Sequence, residues 1–133
     1  MPARAKEFRY AVDLLEGGAV RTEDGVPLGE GPEWTPEHLV LAGLIRCSLE
    51  SLRFHARRSG IEVTGATGSA RAMVTKRESD ERYAMVEAEV ALDVRLRPSP
   101  GEDELAELLA KAERDCFVGA SLTVKPAYRW TAV

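Results

Sequence analysis

Two cysteines are the residues in this chain best equipped for chemistry. Cys47 closes the apolar run Leu39-Val40-Leu41-Ala42-Gly43-Leu44-Ile45-Arg46-Cys47. Cys116 sits in Ala112-Glu113-Arg114-Asp115-Cys116-Phe117-Val118. Each falls on the apolar side of a predicted amphipathic helix. If the two helices pack together the sulfurs can meet, and two meeting thiols can cycle between dithiol and disulfide. A buried cysteine often serves only as a small hydrophobe, and that accounts for either residue alone. Two cysteines, each on the inward face of its own helix, make the redox reading competitive. Cys116 is expected near a helix C-terminus, whose negative dipole end disfavours a thiolate. Cys47 is mid-helix, with little dipole influence either way. Cys47 is therefore the better nucleophile, given a nearby cation, and Cys116 fits the resolving role.

The other chemical groups are less informative. Glu37 lies at a helix start, where complementing the dipole explains it adequately. Glu50 and Glu87 read as surface charges. His38 and His55 are the two histidines. They form no metal-ligand spacing with the cysteines, so no metal and no bound cofactor is expected. Arg53, Arg57 and Arg58 read as cations at a helix C-terminus rather than a phosphate site. There is no glycine-rich phosphate loop and no serine nucleophile elbow.

The elements that must position the cysteines follow from periodicity. Glu7 to Leu15 reads as a strand with Phe8, Tyr10, Val12 and Leu14 on one face, turned by Gly17-Gly18. Ala19 to Leu28 reads as a strand pair around Asp24-Gly25, followed by a loop from Gly29 to Trp34. A long helix is predicted from Pro36 to Ser59, with Thr35 as N-cap and Gly60 at its end. It would be about 35 Å long. Its centre, Leu39 to Leu49, is apolar nearly all round, which one small chain struggles to cover, so a partner chain is expected. Two long strands follow, 61–76 and 82–97, around Glu78-Ser79-Asp80-Glu81. The second alternates strictly, with Ala84, Val86, Ala88, Val90, Leu92, Val94 and Leu96 on the core face. Gly65 and Gly68 suggest a bulge. A second helix is expected from a Ser99-Pro100-Gly101-Glu102 capping box, carrying Leu105, Leu108, Leu109, Ala112 and Cys116 in one phase. A last strand region holds Leu122, Val124, Tyr128 and Trp130, with Pro126 as a break.

Composition bounds the function. The chain has 133 residues, 44% hydrophobic and 30% charged, with a formal net charge of −4. This suits one folded domain spanning 1–133. No apolar run reaches the roughly 20 residues needed to span a bilayer. No basic stripe is available for nucleic acid. The start, Met1-Pro2-Ala3-Arg4-Ala5-Lys6-Glu7, carries no apolar core for a signal peptide. A cytoplasmic location is the expectation, where thiols stay reduced and a structural disulfide is not favoured.

One known family shares these features. Thr35-Pro36-Glu37-His38-Leu39, followed by Cys47, resembles the (T/N)-P-E-x-L…A-x-C segment of the OsmC/Ohr family, the osmotically inducible protein C and organic hydroperoxide resistance proteins. The element order and the second cysteine segment, Cys116-Phe117-Val118-Gly119-Ala120-Ser121-Leu122, are similar too, and the resemblance spans nearly the whole chain. It implies an α+β fold built as an intertwined homodimer, with long central helices wrapped by antiparallel sheets from both chains. It implies a thiol-dependent stress-response and antioxidant activity: reduction of organic or other hydroperoxides, with Cys47 peroxidatic and Cys116 resolving. Regeneration would come from a small dithiol of the lipoyl type. Glu37 carries over as the acid of the site, with an arginine of the N-terminal strand region that in the family typically follows a Gly-Gly; Arg21, the nearest after Gly17-Gly18, and Arg9 are the candidates. The chain departs from the family pattern at Arg46, where a small residue is usual, and it lacks the Ser-Asn after the second cysteine. The rival expectation is a non-catalytic homodimer of the same fold that binds a small apolar ligand in its interface pocket. A cation near Cys47 discriminates between the two.

Overall fold

The computed structural model of the protein describes residues 6–9, 11–14, 20–28 and 34–133. It divides into two compact units, Met1–Thr35 and Pro36–Val133.

The first unit holds a small antiparallel sheet of β1 (Val12–Leu14), β2 (Val20–Thr22) and β3 (Pro27–Leu28), in that order. The strand expected from Glu7 to Leu15 is shorter: residues 6–9 are irregular and the exposed Phe8 lies outside it. Tyr10, Leu15, the Gly17-Gly18 turn, Ala19 and positions 29–33 fall outside the described residues. The β2–β3 turn is where the sequence put it. Gly25 has φ 85°, a left-handed conformation suited to glycine, and its N–H donates to the Thr22 carbonyl at 2.9 Å.

The second unit is a helical layer on a three-stranded sheet. Helix α1 runs Pro36–Arg58, with Glu37 in its first turn and His55, Arg57 and Arg58 in its last, each matching the local dipole sign. Its end is a Schellman turn. Gly60 adopts φ 73°, and the N–H groups of Gly60 and Ile61 donate to the carbonyls of Arg57 and Ala56 at 3.1 and 2.8 Å. The face buried in the chain carries Leu44, Ser48, Ser51, Leu52 and Ala56, spaced at three and four residues. Leu39 and Val40 remain exposed on α1.

Strands β4 (Glu62–Lys76) and β5 (Tyr83–Arg97) form a long antiparallel hairpin. The alternation of β5 is realised from Ala88 onward, where Ala88, Val90, Leu92, Val94 and Leu96 are all buried; Ala84 and Val86 are only half-buried. The bulge falls beside Gly65, where the register shifts between Val63 and Gly65. A second shift lies between Met73 and Val74, with no glycine to announce it. Gly68 is not bulged. It pairs with Leu92 in regular register, and it is small because a Cβ there would collide with the Ala91 carbonyl oxygen and the Leu92 side chain.

The largest departure from expectation is at the second helix. Helix α2 spans Glu102–Arg114 with Gly101 as N-cap, so the Ser99 capping box does not form. The helix also stops before Cys116. Asp115 ends it, and Cys116 becomes the N-cap of a short helix α3 (Phe117–Ser121). Strand β6 (Ala127–Ala132) then joins β5 in parallel, beyond the buried Pro126, giving the order β4-β5-β6. Leu122 and Val124 precede this strand instead of belonging to it. The sheet is thus mixed, because the α2–α3 crossover returns the chain alongside β5.

Candidate functional site

The site forms where α1 meets the joint between α2 and α3. Three polar side chains on one seam of α1 hold that joint. The Ser48 hydroxyl lies 3.5 Å from the Cys116 sulfur. The Ser51 hydroxyl donates to the Ala112 carbonyl at 2.8 Å. His55 Nε2 lies 2.8 Å from the Asp115 carboxylate. Residues 48, 51 and 55 share a face because three and four residues complete a helical turn. The Ala112 carbonyl would serve the next helical turn if α2 continued. Ser51 takes it instead, so ending α2 here leaves no orphaned acceptor on that residue.

Both cysteines are free thiols. Cys116 is fully buried and Cys47 is half-buried. The two thiols are near enough to influence each other: Cys116 raises the Cys47 thiol, and Ser48, the residue after Cys47, lies 3.5 Å from the Cys116 sulfur. Their electrostatics differ from the expectation in both cases. Cys116 is not at the end of a helix but at the start of one, and it accepts the Gly119 N–H at 3.4 Å. Cys47 is not isolated mid-helix, because the backbone N–H groups of Val118 and Phe117 favour its thiolate. Burial still dominates. It pushes the Cys47 thiol up, the Val118 N–H opposes this, the neighbouring Cys116 adds to the rise, and the Phe117 N–H opposes it again. Taken alone, this chain favours the protonated Cys47.

A second pair of groups, not singled out by the sequence, completes the pocket. Tyr128 Oη lies 3.0 Å from Ser48 Oγ. Burial pushes the Tyr128 hydroxyl up to about 12, so it is a proton donor at neutral pH. Its ring stacks on Trp130, with centroids 5.7 Å apart, and the Trp130 indole N–H donates to Glu113 at 2.8 Å. A hint lay in the sequence: Ser48, Ser51 and His55 form a polar stripe on an otherwise apolar helix, and Tyr128 alternates with Trp130 on the strand that follows Pro126.

Of the other expected site residues, Glu37 is not gathered here within one chain, and Arg21 and Arg9 belong to the first unit. Glu37 sits exposed in the first turn of α1, ten residues from Cys47 on the same unbroken helix. That is about 15 Å along the axis, too far for contact within one chain. Arg21 lies exposed in β2 of the first unit, opposite Asp13 and Pro27. Arg9 is exposed and pairs with Glu7 at 2.9 Å. Arg46, beside the first cysteine, points outward to Glu50 at 3.5 Å.

Several solved structures share this arrangement of elements. An OsmC-like protein of unknown function from Vibrio cholerae superposes with TM-score 0.73 at 15% identity, over 85% of this chain and 82% of that one. An OsmC-like protein from Mycoplasma pneumoniae gives TM-score 0.72 at 15% identity, over 98% and 99%. An organic hydroperoxide resistance protein OsmC from Legionella pneumophila gives 0.65 at 19% identity, over 96% and 98%. At such identities the likeness speaks for the fold. No curated protein matches the sequence. The sequence profile described as OsmC-like protein matches residues 29–130, which takes in α1 with Cys47, the β4–β5 hairpin and the Cys116 joint. The chain that brings these two thiols together therefore belongs to the OsmC-like family.

Proposed function

We propose that this protein is a homodimeric, thiol-dependent peroxidase that reduces organic or related hydroperoxides with Cys47 and Cys116. The observation that carries this reading is the placing of two free thiols of unequal access at one joint, Cys47 half-buried and Cys116 fully buried against Ser48, the residue after Cys47. In this scheme the Cys47 thiolate attacks the terminal peroxide oxygen. The O–O bond breaks, the alkoxide leaves and takes up the proton released when Cys47 ionised to become the alcohol, and Cys47 becomes a sulfenic acid. The Cys116 thiol then attacks the oxidised sulfur, its proton leaves with the sulfenic hydroxyl as water, and a disulfide closes. A dithiol, of the lipoyl type in this reading, restores both thiols and is itself oxidised to a disulfide. Organic hydroperoxide resistance proteins from Legionella pneumophila, Elizabethkingia anophelis and Bacillus subtilis are among the similar structures, which supports the substrate class.

The scheme needs a cation at Cys47, since burial alone disfavours the thiolate. We assign that role to Arg21, held by Glu37 of a second copy, in a cytoplasmic dimer in which 1–133 acts as one domain. The dimer is supported by the exposed apolar side chains Leu39 and Val40 on α1 and by Met73, Val74 and Tyr83 on the hairpin. None of the described helices is long and apolar enough to cross a membrane. A second reading, a non-catalytic dimer binding a small apolar ligand, is favoured by one fact, the upward push on the Cys47 thiol. Peroxide consumption with a dithiol reductant decides between them. The wild type should turn over and Cys47→Ser should not; no turnover in the wild type rejects the peroxidase.

A further inference from the structure

The difference in access between the two sulfurs has a consequence for regeneration. Once Cys47 and Cys116 are joined, an incoming thiolate reaches the Cys47 sulfur, because Cys116 is sealed on all sides. Attack there makes Cys116 the leaving group. It must depart as a thiolate into the interior, where an unsolvated charge is costly.

The surroundings of Cys116 are fitted for that event. One donor, the Gly119 N–H, meets its sulfur at 3.4 Å, and two hydroxyls stand beside it: Ser48 Oγ, 3.5 Å from the sulfur, and Tyr128 Oη, 3.0 Å from Ser48 Oγ. The proton count around Ser48 fixes the direction of the network. Its one hydroxyl hydrogen goes to the Leu44 carbonyl at 2.8 Å. In the reduced protein, Tyr128 O–H and Cys116 S–H therefore both donate to Ser48 Oγ. When Cys116 is a thiolate it has no proton to give. A rotation about the Ser48 Cβ–Oγ bond then turns the serine hydrogen from Leu44 to the sulfur, while Tyr128 still donates to Ser48. The result is a relay, Tyr128 O–H to Ser48 O–H to sulfur, whose bonds reinforce one another.

We propose that Ser48 and Tyr128 form a receiving site for the Cys116 thiolate during reduction of the disulfide by an external dithiol. Ser48 is a catalytic residue of that step, and Tyr128 positions and polarises it. This rests on the two-cysteine reading above and extends it to regeneration. The reductant thiolate bonds to Cys47, the Cys47–Cys116 bond breaks, and its electron pair goes to Cys116. The second thiol of the reductant, once deprotonated, attacks its own sulfur in the mixed disulfide. It expels the Cys47 thiolate and closes the reductant's disulfide. The two protons of the dithiol end on Cys47 and Cys116, so one dithiol supplies two electrons and two protons.

The test forms the disulfide with diamide, an azo oxidant that joins paired thiols without any peroxide. Reduction by dithiothreitol is then timed in wild type, Tyr128→Phe, Ser48→Ala and the double variant. In parallel, 2-mercaptoethanol is added, the reaction is quenched with N-ethylmaleimide, and the adducts are mapped by mass spectrometry. The expected result is an adduct on Cys47 in every protein and reduction slowed about tenfold in the variants. A role limited to packing moves the readout the other way: loosening exposes Cys116, the adduct spreads to it and reduction speeds up. Slowing of less than threefold, faster reduction, an adduct on Cys116, or no diamide-induced disulfide in the wild type overturns the proposal. If Ser48→Ala does not fold, Tyr128→Phe alone decides, since it deletes one oxygen at a half-buried position. Absence of peroxide turnover with slowed regeneration in the variants rejects the peroxidase reading and leaves this one standing; the converse result rejects only this one.

Discussion

His55 Nε2 lies 2.8 Å from the carboxylate of Asp115, the residue immediately before Cys116. The contact ties the last turns of α1 to the point where α2 gives way to α3. Arg114 grips the same carboxylate from the other side at 3.0 and 3.1 Å. The Asp115 carboxyl is held below the ordinary carboxylate range, first by Arg114; burial opposes this, and His55 adds to the lowering. A carboxylate with a depressed folded-state value stabilises the fold above its unfolded value, and that contribution is lost as pH falls through the folded one. Wild type should therefore be more stable than Asp115→Asn at pH 5 to 7, and the two should converge below about pH 4. Urea midpoints across this range, followed by tryptophan fluorescence, provide the check. A constant gap between the proteins down to pH 2 would contradict the assignment.

Ser51 should matter more than an ordinary helix serine. Its hydroxyl is buried and satisfies the Ala112 carbonyl at 2.8 Å. Ser51→Ala would leave a buried acceptor unpaired, a cost of about 1–3 kcal/mol. Chemical denaturation measures it. The same variant should loosen the α2–α3 joint and raise hydrogen exchange at Phe117 and Val118, the residues whose N–H groups face Cys47. Full stability with unchanged exchange would mean the joint is held by packing alone.

Cys47 should respond to its neighbour. Burial and then Cys116 push its thiol upward, against the N–H groups of Val118 and Phe117. A raised thiol holds less thiolate at neutral pH, so alkylation at pH 7 should be slower than for a free cysteine. Cys116→Ala removes the contribution of the second sulfur. The midpoint of the Cys47 alkylation profile should then move to lower pH. An upward move would show that Cys116 assists ionisation of Cys47.

Much of this arrangement was legible in the sequence, for identifiable reasons. Strand β5 carries regular alternation, and Pro36 and Gly60 mark the bounds of α1. The expected meeting of Cys47 and Cys116 rested on inward phase, which Cys116 does not share with α2, since the helix ends before it. The break at Asp115 was not legible. Leu105, Leu108 and Ala112 keep helical spacing, and Cys116 extends it by one more turn, so periodicity runs through a position where the chain turns. What ends α2 is tertiary: Ser51 and His55, some sixty residues earlier in the sequence, bond to Ala112 and Asp115. The Ser48–Tyr128 contact was hidden for the same reason, since 80 residues separate its partners. The parallel pairing of β6 was masked because a short alternating strand reads alike in either direction.

The position of Glu37 leads to the most direct test of a shared site. Glu37 and Cys47 lie on one continuous helix, Pro36–Arg58. Ten residues of α-helix separate them by about 15 Å. Gly43 lies between them without breaking the helix. A glutamate that serves Cys47 must therefore come from another copy, with the two α1 helices antiparallel across a two-fold axis. Such an interface is isologous and builds two equal sites, each with the cysteine of one subunit and the glutamate of the other. It would also cover the exposed Leu39 and Val40. In this scheme Glu37 fixes an arginine, Arg21, against the sulfur and offsets the upward push of burial. Homodimers of Cys47→Ser and of Glu37→Ala should each lack peroxide turnover. In the mixed dimer one site keeps both Cys47 and Glu37, while the other lacks both. Half of the wild-type turnover per heterodimer is expected. Verified heterodimers with no recovery would place Glu37 outside the Cys47 site and return it to the role of a helix-start acid.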